Sequence, residues 1–161
     1  PEYSSAASDV YKRQELMILY GTETGNSELL AIDAASVARE HGFEPIVKGM
    51  ESTDVDELGS VRRLLIFCST WGDGDQPDNA QELFDQVSGC ETGTLAGLNY
   101  GVLALGDTAF DLFCESGKEW DAILEAKGAN RLVDRMDCDT DYEDDAAYWT
   151  EESLKQMKTV N

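Results

Sequence analysis

Basic residues are scarce in this chain of 161 residues: 12 Lys and Arg stand against 33 Asp and Glu, a formal net charge of −21. That excess argues against nucleic acid and anionic membrane as partners, because both repel it, and favours a partner with a basic face. Histidine is represented by His41 alone. No Ser-His-Asp or Cys-His arrangement is apparent, and acid–base catalysis by a histidine placed at a helix end has little to recommend it. The four cysteines, Cys68, Cys90, Cys114 and Cys138, form no C-x-x-C. A zinc site or a redox dithiol is therefore not expected, and reduced thiols in a cytoplasmic protein are. No apolar run approaches the roughly 18 residues of a membrane-spanning helix. The start of the chain also lacks the apolar stretch of a signal peptide.

What remains is a composition able to fold: 42% hydrophobic and 9% aromatic residues, enough for one domain with a sizeable core. Residues 1–14, PEYSSAASDVYKRQ, show neither helical nor strand period and read as a non-native or disordered segment. The domain is expected over residues 15–161. Short apolar runs at Leu16–Tyr20, Phe43–Val47, Leu64–Cys68, Gly101–Leu105 and Arg131–Val133 read as strands. Between them the spacing predicts helices over Asn26–Glu40, with a stripe of Leu29, Leu30, Ala34, Val37 and Ala38, and a brief one through Leu58 capped by Thr53 or Asp54. Further helices are predicted over Asn79–Val87, Lys118–Lys127 and Asp144–Met157, the last through Ala147, Tyr148, Leu154 and Met157. Strands that are apolar throughout and alternate with helices specify an α/β fold, a parallel sheet covered on both faces. Ligands in such folds bind beyond the carboxyl ends of the strands, which directs attention to residues 21–27, 69–78 and 106–114.

The first of these loops, Gly21-Thr22-Glu23-Thr24-Gly25-Asn26-Ser27, leaves a strand and opens a helix. Converging backbone N–H groups there suit a phosphate, and the Thr, Asn and Ser side chains add donors. It carries no Lys and is not G-x-G-x-x-G, so it is neither a nucleoside-triphosphate loop nor a Rossmann fingerprint. The second loop, Ser69-Thr70-Trp71-Gly72-Asp73-Gly74-Asp75-Gln76-Pro77-Asp78-Asn79, sets among glycines a tryptophan that would be costly to expose without a purpose, and those glycines let backbone approach a planar ligand. The third, Leu105-Gly106-Asp107-Thr108-Ala109-Phe110-Asp111-Leu112-Phe113-Cys114, again places aromatics just past a strand. Together they describe a site for a flat ring joined to a phosphate.

T-E-T-G-N, S-T-W-G-D-G-D and L-G-D-T-A-F-D-L-F-C resemble the three FMN-binding loops of the flavodoxin family. They are especially similar to those of the FMN domain of diflavin reductases such as the sulfite reductase flavoprotein subunit. That likeness extends through C-E-S-G-K and D-R-M-D-C-D and covers about residues 15–158. The resemblance implies a three-layer fold with five parallel strands in the order 2-1-3-4-5. Thr22, Glu23, Thr24, Gly25, Asn26 and Ser27 would hold the FMN phosphate. Ser69, Thr70, Trp71, Gly72, Asp73 and Gly74, with Leu105, Gly106, Asp107, Phe110, Phe113, Cys114 and Asp139, would surround the isoalloxazine, Trp71 stacking on one face and Phe110 on the other. Two departures stand out: Trp71 replaces the Tyr or Gln usual in diflavin reductases, and Phe110 the usual Tyr. The Gly72–Asp73 peptide would turn its carbonyl toward flavin N5, and Asp73, Asp107 and Asp139 would disfavour the reduced anion. Cys114 is expected to pack rather than react.

The function so implied is single-electron shuttling from an external NAD(P)H-dependent flavoprotein reductase to a haem or iron–sulfur acceptor, by a monomeric carrier. A piece of a larger diflavin reductase, or an FMN-dependent quinone reductase-like enzyme, are the alternatives. A phospho-receiver domain is disfavoured by Tyr20-Gly21-Thr22 where acidic residues are required. The charge is also uneven. From Leu64 to Gly117 there is no Lys or Arg, while Asp73, Asp75, Asp78, Glu82, Asp85, Glu91, Asp107, Asp111 and Glu115 all fall there. The acidic run Asp134–Asp145 lacks calcium-loop spacing and reads as a solvated docking face.

Overall fold

A computed structural model describes residues 14–160, so the expectation for residues 1–14 lies, Gln14 apart, outside the described residues. Five consecutive apolar residues of β3 (Arg63–Ser69), Leu64 to Cys68, have no exposed surface. A strand dry on both faces needs cover on both, and the rest of the fold supplies it. β1 (Glu15–Gly21) pairs in parallel with β3 on one side and with β2 (Glu44–Gly49) on the other. β3 pairs with β4 (Asn99–Leu105), β4 with the short β5 (Asn130–Arg131), and the sheet runs β2-β1-β3-β4-β5, the order expected.

Alternate residues of each strand point to opposite faces. Met17, Leu19, Leu64, Ile66 and Val102 meet Leu83 and Val87 of α3 (Asp78–Gly89) and Trp120 and Leu124 of α4 (Glu115–Ala126). Leu16, Ile18, Leu65, Phe67 and Leu103 meet α1 (Asn26–Glu40) and α5 (Glu143–Met157). The short α2 (Val55–Ser60) is capped by Asp54, whose carboxylate accepts from the Glu57 amide at 2.9 Å.

The structure departs from the sequence expectations in three places. Leu29, expected on the buried stripe of α1, is 61% exposed. The buried face there is Ser27, Ala31, Ala34, Ala35 and Ala38, because small side chains let the helix lie close on the sheet. In α5, Ala147 and Tyr148 face outward while Ala146 and Trp149 face the core. Trp149 fixes that phase by packing edge-on to Phe67 and donating its indole N–H to the Asp134 carbonyl at 3.0 Å. The fifth strand does not run over Arg131–Val133. It breaks into β5 (Asn130–Arg131) and β6 (Met136–Cys138), both paired with β4. Asn99 pairs with Asn130 and Leu103 with Met136, so two extra residues are looped out between the pieces. Arg135, in that loop, reaches buried Asp121 of α4 at 2.8 Å, beside Arg131 at 2.7 Å. Among the described residues no helix is long and apolar enough to cross a membrane.

Candidate functional site

Beyond the carboxyl ends of β1, β3, β4 and β6 lies a cleft of about 310 Å³. It is lined by Thr24 and Asn26 from the first loop, Ser69 to Gly72 from the second, and Leu105 to Asp107, Phe110, Leu112 and Cys114 from the third. Asp139, Thr140 and Tyr142 close it from the loop after β6. Trp71 is 49% and Phe110 53% exposed. Two large aromatic faces left half in water on separate loops of one cleft suit a flat ring between them.

The first loop owes its shape to its own polar groups. The Gly25 amide donates to Thr22 Oγ1 at 2.8 Å, and Gly25 opens α1 in the left-handed region. Ser27 is buried, its hydroxyl 2.7 Å from that of Ser69. The Thr22 amide donates to Asn79 Oδ1 at 2.8 Å, and Glu23 accepts from the Asp78 amide, which moors the loop to the start of α3. The first intrahelical bond of α1 is Leu29 to the Gly25 carbonyl. The amides of Asn26, Ser27 and Glu28 therefore have no acceptor within the helix, the donor set that suits a phosphate.

The second loop is a tight turn. Trp71 and Asp75 exchange backbone bonds of 2.9 and 2.8 Å, and Gly74 N–H also reaches the Trp71 carbonyl. Gly72 sits at the tip with φ 53°, in the left-handed region that glycine enters without cost and most other residues disfavour. In the third loop, Asp107 accepts from the Ala109 amide at 2.8 Å, and the Phe110 amide donates to the Asp107 carbonyl. Asp139 ties this loop to the one after β6, accepting from Thr108 Oγ1 at 2.6 Å and from the amides of Thr108 and Thr140. Those donors hold its carboxyl below the usual range. Cys114 is buried against the Ala104 and Cys138 carbonyls, and burial pushes its thiol up to about 12. Burial with a raised thiol is the setting of a packing cysteine, not of a nucleophile.

Of the sequence-expected residues, Thr24, Asn26, Ser69, Thr70, Trp71, Gly72, Leu105, Gly106, Asp107, Phe110, Cys114 and Asp139 line the cleft. Thr22, Glu23, Gly25 and Ser27 shape the first loop instead. Asp73 stands exposed at the turn's tip, and Gly74 packs against Leu112. Phe113 turns aside, with Lys118 Nζ 5.7 Å from its ring centre. Leu112, Thr140 and Tyr142 line the cleft without having been expected there. The last two follow β6, a strand of three residues too short to leave a period in the sequence that would mark their loop. His41 caps the far end of α1, 2.6 Å from Glu151, and takes no part. Among the described residues no group of acidic, Cys and His side chains is arranged to hold a metal, and all four cysteines are free.

The flavodoxin family profile matches residues 18–149. The chain is 41% identical over 144 residues to the sulfite reductase [NADPH] flavoprotein alpha-component of Bacillus subtilis, covering 89% of this chain and 24% of that one. It is 38% identical over 153 residues to the same component of a Shewanella species, covering 95% and 25%. It thus spans about a quarter of the length of these curated relatives. Among solved structures it superposes on Flavodoxin 2 of Bacillus cereus with TM-score 0.75 and 25% identity, over 90% of this chain and 98% of that one. A flavodoxin of Streptococcus pneumoniae superposes with TM-score 0.80 and 23% identity, over 90% and 98%.

Proposed function

The chain belongs to the flavodoxin family, and from that premise we propose that it binds FMN non-covalently in the cleft and carries electrons singly. The donor in this reading is a NAD(P)H-dependent flavoprotein reductase and the acceptor a haem or iron–sulfur protein, each docking through a basic face. The observation that carries it is the pair Trp71 and Phe110, half-exposed across a cleft whose first-loop edge holds the free first-turn amides of α1. When bound, FMN supplies a centre that accepts one or two electrons. The protein's part is to sandwich the ring between Trp71 and Phe110, to hold the phosphate on the amides of 26–28, and to keep the cleft floor dry with Leu105 and Cys114. Asp107 and Asp139 face the cleft, although both carboxylates also hold loop backbone. A monomer in the cytoplasm completes the proposal, the setting supported by four unpaired cysteines.

Titration of the purified protein with FMN and with riboflavin tests this. FMN is expected to bind more tightly, the difference measuring the phosphate contact. Trp71→Ala and Phe110→Ala are each expected to weaken FMN binding roughly tenfold, the equivalent of about 1–1.5 kcal/mol of stacking. A colourless protein that takes up no added FMN overturns the reading. Reductive titration then separates a carrier, which accumulates one-electron-reduced flavin absorbing at long wavelength, from a hydride-accepting quinone reductase, which does not. A second reading has its own support. Identity is 41% to a sulfite reductase flavoprotein component against 25% to a flavodoxin of similar length, which favours an FMN-binding segment of a diflavin reductase.

A further inference from the structure

We infer that Ser116 is a positioning residue for the flavin-facing turn, holding it from below without touching the ligand. The inference rests on the flavin-binding reading of the cleft. Ser116 lies in the first turn of α4 and has no exposed surface. Its hydroxyl donates to the Asp75 carbonyl at 2.6 Å, and its amide donates to Thr70 Oγ1 at 3.2 Å. Its carbonyl accepts from Gln76 Nε2 at 3.1 Å, and Gln76 Oε1 in turn accepts the indole N–H of Trp120 at 3.0 Å. One buried residue therefore takes hold of both ends of the turn, at Thr70 and at Asp75, and of the residue that follows it. Helix α4 also begins where the third loop ends, at Cys114. Ser116 thus sets the turn that carries Trp71 against the loop that carries Phe110, and with them the gap between the two aromatic faces.

The same bonds divide the turn into a fixed stem and a free tip. Thr70, Trp71, Asp75 and Gln76 are held, whereas none of these bonds involves the Gly72–Asp73 peptide. Gly72 gives that peptide room to reorient. A fixed stem confines the movement to one peptide, so the interaction it offers the ring is specific to one orientation. Loosening the stem lets the whole turn follow, and the ring no longer meets one defined orientation of that peptide.

Ser116→Ala removes the hydroxyl, and Ser116→Cys replaces it with a near-isosteric, weaker donor. In the flavin-free protein, hydrogen exchange at the Trp71 and Asp75 amides is expected to quicken about tenfold in Ser116→Ala, the factor for one lost buried hydrogen bond, while amides of β3 and β4 keep their rates. In the FMN-loaded protein the fraction of one-electron-reduced flavin at half reduction is expected to fall about threefold or more, with Ser116→Cys intermediate. Combined with Gly72→Ala, the effects should be non-additive, because both act through one peptide. Unchanged exchange at Trp71 and Asp75, an unchanged one-electron fraction, or strict additivity overturns the inference. So does a uniform loss of protection, which marks a merely structural serine. A wild-type chain that binds no FMN overturns the reading of the cleft first, and this inference with it.

Discussion

Asp139 is the residue whose charge is put to the clearest structural use. Its carboxylate takes three donors from two loops, the Thr108 hydroxyl foremost, and these hold its proton affinity below the ordinary value of 3.8. A carboxyl depressed in the folded state contributes stability that is complete above its unfolded value and is lost as pH falls through its folded one. The third loop should thus stay tied across neutral and mildly acidic pH and come loose only in strong acid. The difference in Tm between the wild-type protein and Asp139→Asn is expected to be constant above about pH 5 and to shrink toward zero as pH falls below the carboxylate range. A difference that persists unchanged in strong acid would mean that the asparagine fails for packing, not charge. The large aromatics Trp71 and Phe110 announce themselves in the sequence, because exposing them beside glycines is costly without a ligand. Ser116 and Asn79 do not. Each acts by bonding the backbone of a segment distant in sequence, 41 residues away for Ser116 and Asp75 and 57 for Asn79 and Thr22, and no local pattern of residue types records such a bond.

At the level of elements, the helix that carries Ser116 approaches the sheet so closely that a single methyl decides its seat. A Cβ on Gly117 would lie 2.2 Å from Ala104 Cβ and 3.0 Å from Ala104 Cα, contacts that backbone must move to relieve. Helix propensity argues the other way, favouring Ala over Gly by about 1 kcal/mol. Overpacking against a strand costs about 1–3 kcal/mol and has no flexible side chain to absorb it, so it prevails. Gly117→Ala is expected to lower Tm by a few °C, up to roughly 8 °C, and to weaken FMN binding together with it, because α4 carries the clamp on the second loop. A Tm that rises would show that the helix lifts off freely. The elements themselves were legible wherever the apolar run was long and pure, as in Leu64–Cys68, or the period sustained, as in Asn26–Glu40, whose ends the structure reproduces. They were illegible at the sheet edge. There the amides of Leu132 and Val133 both donate to the one Tyr100 carbonyl of β4, at 3.0 and 3.4 Å, so the chain bulges and the paired register resumes only at Met136, with Arg135 of the bulged segment bonded to Asp121. Which residue of a β-forming run is bulged out is decided across the sheet by the partner strand, and only the fold reveals it.

Over the whole molecule the excess of acid acts twice, with opposite dependence on salt. The ion pairs Lys48–Glu57, Arg131–Asp121, Arg131–Glu125, Arg135–Asp137 and Lys155–Glu152 engage acids none of which lines the cleft. Around the cleft mouth Asp73, Asp75, Asp78 and Asp111 stand exposed in a stretch without Lys or Arg. With a net charge of −21, the folded chain repels itself, and screening relieves that repulsion. Tm is therefore expected to rise by several °C as NaCl goes from about 10 mM to 500 mM, since the Debye length shrinks from roughly 30 Å to a few ångströms. Association with a basic-faced redox partner should move the other way, its rate constant falling about 10- to 100-fold over the same range. Differential scanning and stopped-flow mixing in one buffer series read both. Were the charge scattered evenly, steering would be weak while self-repulsion remained, so Tm would rise with little change in association rate. Opposite and comparably steep responses are the signature of charge gathered at the mouth of the site. Replacing Asp73, Asp75 and Asp111 with Asn should then flatten the association curve far more than the Tm curve, because those three acids are a small part of the total and a large part of what an arriving partner meets.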